Sequence, residues 1–147
     1  MRYSAIMLCM AKKKRKQKNP GQVIIPVGHP NPPDENEVDA AKVLAQHYKC
    51  VVEFLIPVDD YLRKTADINM LSIEWELKCP IKDSKSTIQN LFRRASKQAK
   101  NIIVDTRHTK LKYEVIEKRV RFEITKRPYI KKVILIDKFE KIIVIKE

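Results

Sequence analysis

An α/β architecture, with a mixed sheet flanked by helices, is what the sequence predicts, on three observations. Short β-branched runs such as VVEFLI and NIIVD alternate along the chain with stretches whose apolar residues recur at helical spacing. The apolar fraction is 44% over 147 residues, enough for one real core. The count of only two glycines argues against a repetitive or loop-dominated fold, and no internal repeat is visible.

Residues 1–20, MRYSAIMLCMAKKKRKQKNP, are expected to form a basic, disordered arm ahead of one folded domain at 21–147. The apolar run of that arm precedes its basic block, the reverse of the order in a secretory signal. No stretch approaches the ~20 apolar residues of a membrane span. GQVIIPV at 21–27 reads as a short edge strand, because Pro26 has no N–H to donate to a ladder and is denied a central place. After a turn-rich connector, Asp34 is placed to cap a helix through Tyr48. The first turn of that helix is acidic, and Val38, Ala41, Leu44 and Ala45 share its stripe. Glu37 sits near the edge of this stripe, where it would look into the fold.

KCVVEFLIPV at 49–58 is short, β-branched and closed by proline, which favours a strand. DDYLRKT is read as a turn or loop. ADINMLSIEWELKCP at 66–80 reads as two strand segments with a bend near 69–72. SKSTIQNLFRRASKQAK at 84–100 is the clearest helix, capped by Ser84 or Ser86, with Ile88, Leu91, Phe92, Ala95 and Ala99 inward. NIIVDTR follows as a buried strand. KLKYEVIEKRVRFEITKRP fits a further helix, because Ile116, Val120 and Ile124 recur at intervals of four before Pro128, although RVRFEI alone alternates like a strand. The tail, VILI and KIIVIK around residues 137–140, reads as a strand pair.

The formal charge of +13, from 31 Lys and Arg against 18 Asp and Glu, makes a polyanion the expected partner, nucleic acid first and an anionic membrane second. Cys9, Cys50 and Cys79 are odd in number and lack ligand-like spacing, which argues against a disulfide framework or a zinc site and for a reducing compartment. His29 and His47 have no evident partner. Trp75 shares a strand face with Ile73 and Leu77 and reads as core.

Alternation in IEWELK puts Glu74, Glu76 and Lys78 on the other face of that strand. With Asp67 on the neighbouring segment, Glu76 and Asp67 have the chemistry to hold a magnesium-like ion, which favours oxygen ligands, while Lys78 orients or deprotonates a water. Glu37 is a candidate third carboxylate, and Gln98 a candidate for positioning water. The bland alternative is a solvated face with a cross-strand ion pair, and an E-x-K triplet by itself is weak evidence against it. Arg93, Arg94 and Lys97 on the basic helix, with Arg107, His108 and Lys110 after the strand NIIVD, are candidates for gripping a phosphodiester backbone. His108 has a second reading, as general acid or base of a metal-free ribonuclease.

These residues together resemble the PD-(D/E)XK nuclease superfamily, and more narrowly the C-terminal tRNA-cleaving toxin domain of bacterial contact-dependent growth inhibition proteins. The likeness is carried by Glu37, Asp67 in TADI, WELKCP with Glu76 and Lys78, and STIQNLFRRASKQAKNIIVDTRHTKL. Ala66 stands where that pattern has its proline, a position without a chemical role. The resemblance implies a restriction-endonuclease-like fold and phosphodiester hydrolysis with Mg2+ or Mn2+. It makes Asp67 and Glu76 metal ligands, Lys78 the catalytic lysine, Glu37 the helix acid and Gln98 a supporting residue. It further implies action on tRNA in the cytoplasm, delivery from another cell, and an acidic immunity-type partner to complement the basic field. The same active centre acting on DNA, and a non-catalytic basic nucleic-acid-binding module, are the alternatives.

Overall fold

The computed structural model describes residues 21–58 and 65–147. The arm at 1–20 and most of the loop expected at DDYLRKT lie outside the described residues. The chain divides into two compact units at Glu74 and Trp75. No helix among the described residues is long and apolar enough to cross a membrane.

In the first unit, β1 (Val23–Ile24) pairs in parallel with β2 (Val52–Phe54), which pairs antiparallel with β3 (Ile68–Met70). As expected from Pro26, β1 is only a short strand. Helix α1 (Glu35–Tyr48) contacts β1 and β2 and buries Ala40, Ala41, Leu44, Ala45 and Tyr48. Val52 and Phe54 stand opposite Met70 and Ile68, so the buried side chains of the two strands share one face. The helix starts where the sequence said it would. Asp34 Oδ1 accepts from the Glu37 N–H at 2.9 Å and Glu37 Oε2 accepts from the Asp34 N–H at 3.0 Å, a reciprocal capping box. It ends at Lys49, whose φ of 53° lies in the left-handed region usually given to glycine. After β3, Leu71 and Ser72 both have positive φ, the backbone of a two-residue hairpin loop, at the bend expected there.

The second unit is built by two successive crossovers. Strand β4 (Ile73–Lys78) leads through α2 (Thr87–Ala95) to β5 (Asn101–Asp105), and α3 (Tyr113–Thr125) leads to β6 (Lys132–Ile136). β4, β5 and β6 pair in parallel, and β7 (Ile142–Lys146) returns antiparallel beside β6. Both helices pack on one face of this mixed sheet. Ile88, Leu91, Phe92 and Ala95 of α2 and Ile116 and Val120 of α3 meet Ile102, Val104, Val133 and Leu135 in one core. The two faces of β5 and β6 are buried, which explains their near-continuous apolar runs. The residues RVRFEI, ambiguous in sequence, belong to α3 because Ile116 and Val120 complete this core.

Helix α2 is shorter than the 84–100 span expected. Lys97 and Gln98 donate backbone bonds three residues back, to Arg94 and Ala95, which tightens the end of the helix and turns the chain into β5. Ser86 holds the N-cap position without a side-chain capping bond.

Candidate functional site

The strand IEWELK does not present a plain charged face to solvent. Trp75, Glu76 and Leu77 are all buried, while Glu74 is exposed. The parallel register sets Glu76 opposite Ile102 and Lys78 opposite Val104, and both partners belong to the helix-covered core. Glu76 and Lys78 therefore lie on the helix-bearing face of the second unit, which is why the solvated-face alternative fails for Glu76. The Glu76 side chain is 3% exposed and its Oε2 lies 3.1 Å from Lys78 Nζ, whose side chain is 34% exposed. A carboxylate this deeply desolvated is stable only when paired. The lysine keeps one end in that pair and the other within reach of water.

Asp67 and Glu37 belong to the first unit, and both line one cleft of about 430 Å³ there, with His29, Asp34 and Phe54 among its other walls. Glu37 reaches the cleft while one of its oxygens accepts the Asp34 backbone N–H. Its capping role and a place beside Asp67 are thus compatible. His29, expected to lack a partner, has two: its Nε2 lies 2.8 Å from the Leu55 carbonyl, and its Nδ1 accepts from the Asn31 N–H at 3.2 Å. Those bonds fix the tautomer with the proton on Nε2. The Leu55 carbonyl is distant in sequence, so nothing in the local pattern announces it. Gln98 lies half-buried on the turn after α2, its backbone bonded to Ala95.

The basic candidates fall into two groups. Arg93, Arg94, Lys97 and Lys110 are exposed and make no ion pair among the described residues. Arg107 and His108 instead surround Asp105, which is 0% exposed at the end of β5. Arg107 donates from its guanidinium nitrogens Nε at 2.9 Å and Nη2 at 2.8 Å to the two Asp105 oxygens, and Nη1 reaches Glu140 at 3.2 Å. His108 Nε2 lies 3.5 Å from Asp105 Oδ2. A phosphate contact by Arg107 requires this bidentate pair to open, a cost the exposed cations do not carry.

Asp105 is the residue that sequence reasoning missed. Its signal is a lone acid directly after the apolar run IIV, followed two residues later by arginine. The same holds for Glu123, buried on α3 and held by Arg127 Nη1 at 2.7 Å, one turn later in sequence. Among the described residues no group of three or more His, Cys, Asp or Glu is gathered as a metal cluster.

Residues 64–142, more than half of the chain, match the family model described as the contact-dependent growth inhibition CdiA C-terminal domain. The fold is also similar to a chain of a solved CdiA-CT/CdiI toxin and immunity complex from Burkholderia pseudomallei. That likeness has a TM-score of 0.54 at 24% identity, over 76% of this chain and 82% of the other. No curated protein sequence matches the chain.

Proposed function

The chain belongs to the contact-dependent growth inhibition CdiA C-terminal domain family, and from that premise we propose that it is a toxin domain that hydrolyses phosphodiester bonds of RNA, with tRNA as the substrate. The chemistry is that of a PD-(D/E)XK nuclease using Mg2+ or Mn2+. The observation that carries this reading is the desolvated Glu76 carboxylate 3.1 Å from a lysine that remains partly open to water. An ordinary surface pair has no need of burial, whereas a reaction centre gains from charges fixed in a low-dielectric setting.

The donor chemistry fits a hard divalent ion. Magnesium is commonly held by one or two carboxylates together with substrate phosphate and waters, so a cluster of three protein ligands is not required. By the resemblance, Asp67 and Glu76 would be the carboxylate ligands, with Glu37 as a third carboxylate or acting through water. When bound, such an ion acidifies a water and offsets the charge that grows on the phosphoryl oxygens. The protein's own part falls first to Lys78. Its Nζ, paired with Glu76, orients the attacking water or, as the neutral amine, takes its proton, or as the ammonium donates to a non-bridging phosphate oxygen. Gln98 is assigned to water positioning. The exposed Arg93, Arg94, Lys97 and Lys110 attract and hold the backbone, aided by the +13 field.

The same reading implies an acidic immunity-type protein as partner and the cytoplasm of a recipient cell as the place of action. The solved structure it resembles in fold is a toxin and immunity complex. The test is a parallel time course of the wild-type protein and Lys78→Ala on total tRNA and on duplex DNA, with magnesium and with chelator. Cleavage of tRNA alone, abolished by chelator and by Lys78→Ala, is expected. Cleavage of DNA alone reassigns the substrate. Tight, magnesium-indifferent binding by both proteins without products overturns the enzyme reading in favour of a binding module.

A further inference from the structure

A second cavity opens in the second unit, and of the residues assigned above it takes in only Arg94. It is a groove of about 390 Å³ where the chain leaves β4 and enters α2. Its polar wall is made by Lys82, Ser84, Ser86, Thr87, Asn90 and Arg94, and its apolar wall by Pro80, Ile81 and Leu91. The groove thus lies at the carboxyl end of a parallel strand, the end of open α/β sheets at which ligands bind. Thr109 Oγ1 donates to the Lys82 carbonyl at 2.8 Å, which ties the groove to the segment carrying Lys110 after β5.

Three features select the ligand. Lys82 and Arg94 make no ion pair among the described residues, so two cations face the groove without a protein anion. Ser84 Oγ lies 3.3 Å from Ser86 Oγ and 3.0 Å from Thr87 Oγ1, which gathers three hydroxyls beside those cations. Hydroxyls and cations together are phosphate-binding chemistry. Ile81, which lines the same groove and is 65% exposed, offers apolar surface that a phosphate alone leaves uncovered. A ligand that is anionic at one end and flat and apolar at the other satisfies both walls.

We propose that this groove holds one nucleotide of the substrate strand, with its phosphate against Lys82, Arg94 and the hydroxyls and its base against Ile81 and Leu91. The assignment rests on the nucleic-acid reading above and adds to it a subsite separate from the Glu76–Lys78 pair. A base held by aliphatic contact, without hydrogen bonds to its edges, is read with little sequence preference, because every base has an apolar face.

The test uses the whole chain in metal-free buffer and follows backbone amides by NMR as adenosine 5′-monophosphate, inorganic phosphate or a short oligoribonucleotide is added. Saturable shifts over residues 82–94 are expected with the nucleotide and the oligonucleotide, with weaker binding of phosphate alone. Lys82→Ala/Arg94→Ala is expected to weaken nucleotide binding about tenfold. Lys118→Ala/Lys131→Ala, which removes the same charge elsewhere, is expected to change it less than about twofold. The spectra of the free variants report whether each is folded. Shifts elsewhere, equal weakening by the two double variants, or a stronger response to a glutamate-rich peptide would overturn the proposal. In cleavage assays the groove variant should raise KM and spare kcat. Wild-type KM in that variant overturns the subsite while the nuclease stands, and groove binding without any cleavage leaves the subsite and overturns the nuclease.

Discussion

Removing the Lys78 ammonium should cost both stability and activity, and the two losses are separable. In Lys78→Ala the Glu76 carboxylate, 3% exposed, loses the cation 3.1 Å away. A buried group deprived of its partner costs about 1–3 kcal/mol. The lower half of that range is expected, because Lys78 is 34% exposed and water can enter the space it leaves. Adding Glu76→Gln removes the buried negative charge that has lost this cation, so the double variant should recover part of the lost stability while remaining inactive. Loss of a group acting on the proton of the water is worth roughly 10²–10⁴-fold in rate. Urea unfolding followed by the fluorescence of Trp75, the single tryptophan and a buried member of the same strand, reads the stability. Cleavage of labelled tRNA with magnesium reads the rate. An unchanged urea midpoint in Lys78→Ala would refute the argument from the buried pair. Wild-type cleavage by that variant would refute the role of the lysine.

Arg107→Ala should destabilise by about 3–5 kcal/mol, since it takes the guanidinium from a fully buried carboxylate, Asp105→Ala should cost less because Arg107 keeps Glu140, and the double variant should cost less than the sum. Additive losses on a double-mutant cycle would show that the pair is not coupled. Burial, with the neighbouring Glu117 carboxylate, pushes the Tyr113 hydroxyl up to about 12. The neutral phenol therefore contributes stability that is complete below the unfolded value near 10 and is lost as pH rises from there toward 12. Urea midpoints of the wild type should fall more steeply across that window than those of Tyr113→Phe, and parallel curves would contradict the assignment. Lys49→Gly should raise stability by about 0.5–1 kcal/mol, because Lys49 ends α1 at a φ of 53° where a Cβ is strained. A lower midpoint in that variant would mean that its side chain contributes more than the backbone relief.

Local signals were read well where a short-range physical rule governs them. The Asp34 cap and its capping box at Glu37 depend only on groups three residues apart. The core faces of α2 and α3 follow from helical spacing alone, and the parallel strands β5 and β6 from apolar runs too short for helices. The end of α2 was placed too late, since Ser96 to Ala99 carry no strong breaker and the turn is imposed by the run into β5.

By itself the sequence determined the order and type of the elements, the basic field, and the presence of an E-x-K triplet with further acids nearby in the chain, because periodicity, capping and net charge are properties of neighbouring or summed residues. Tertiary structure alone decided which of those charges are desolvated. Glu76 and Glu74 are chemically identical and lie two apart on the same strand, yet one is buried and the other exposed. What separates them is that Glu76 lies opposite Ile102 under the helix-covered face of the second unit, where pairing with Lys78 replaces the water it has lost. The same rule made Asp105 the anchor of Arg107 and left Arg94 and Lys82 open to an anion: burial is a sum over distant elements, and no window of sequence contains that sum.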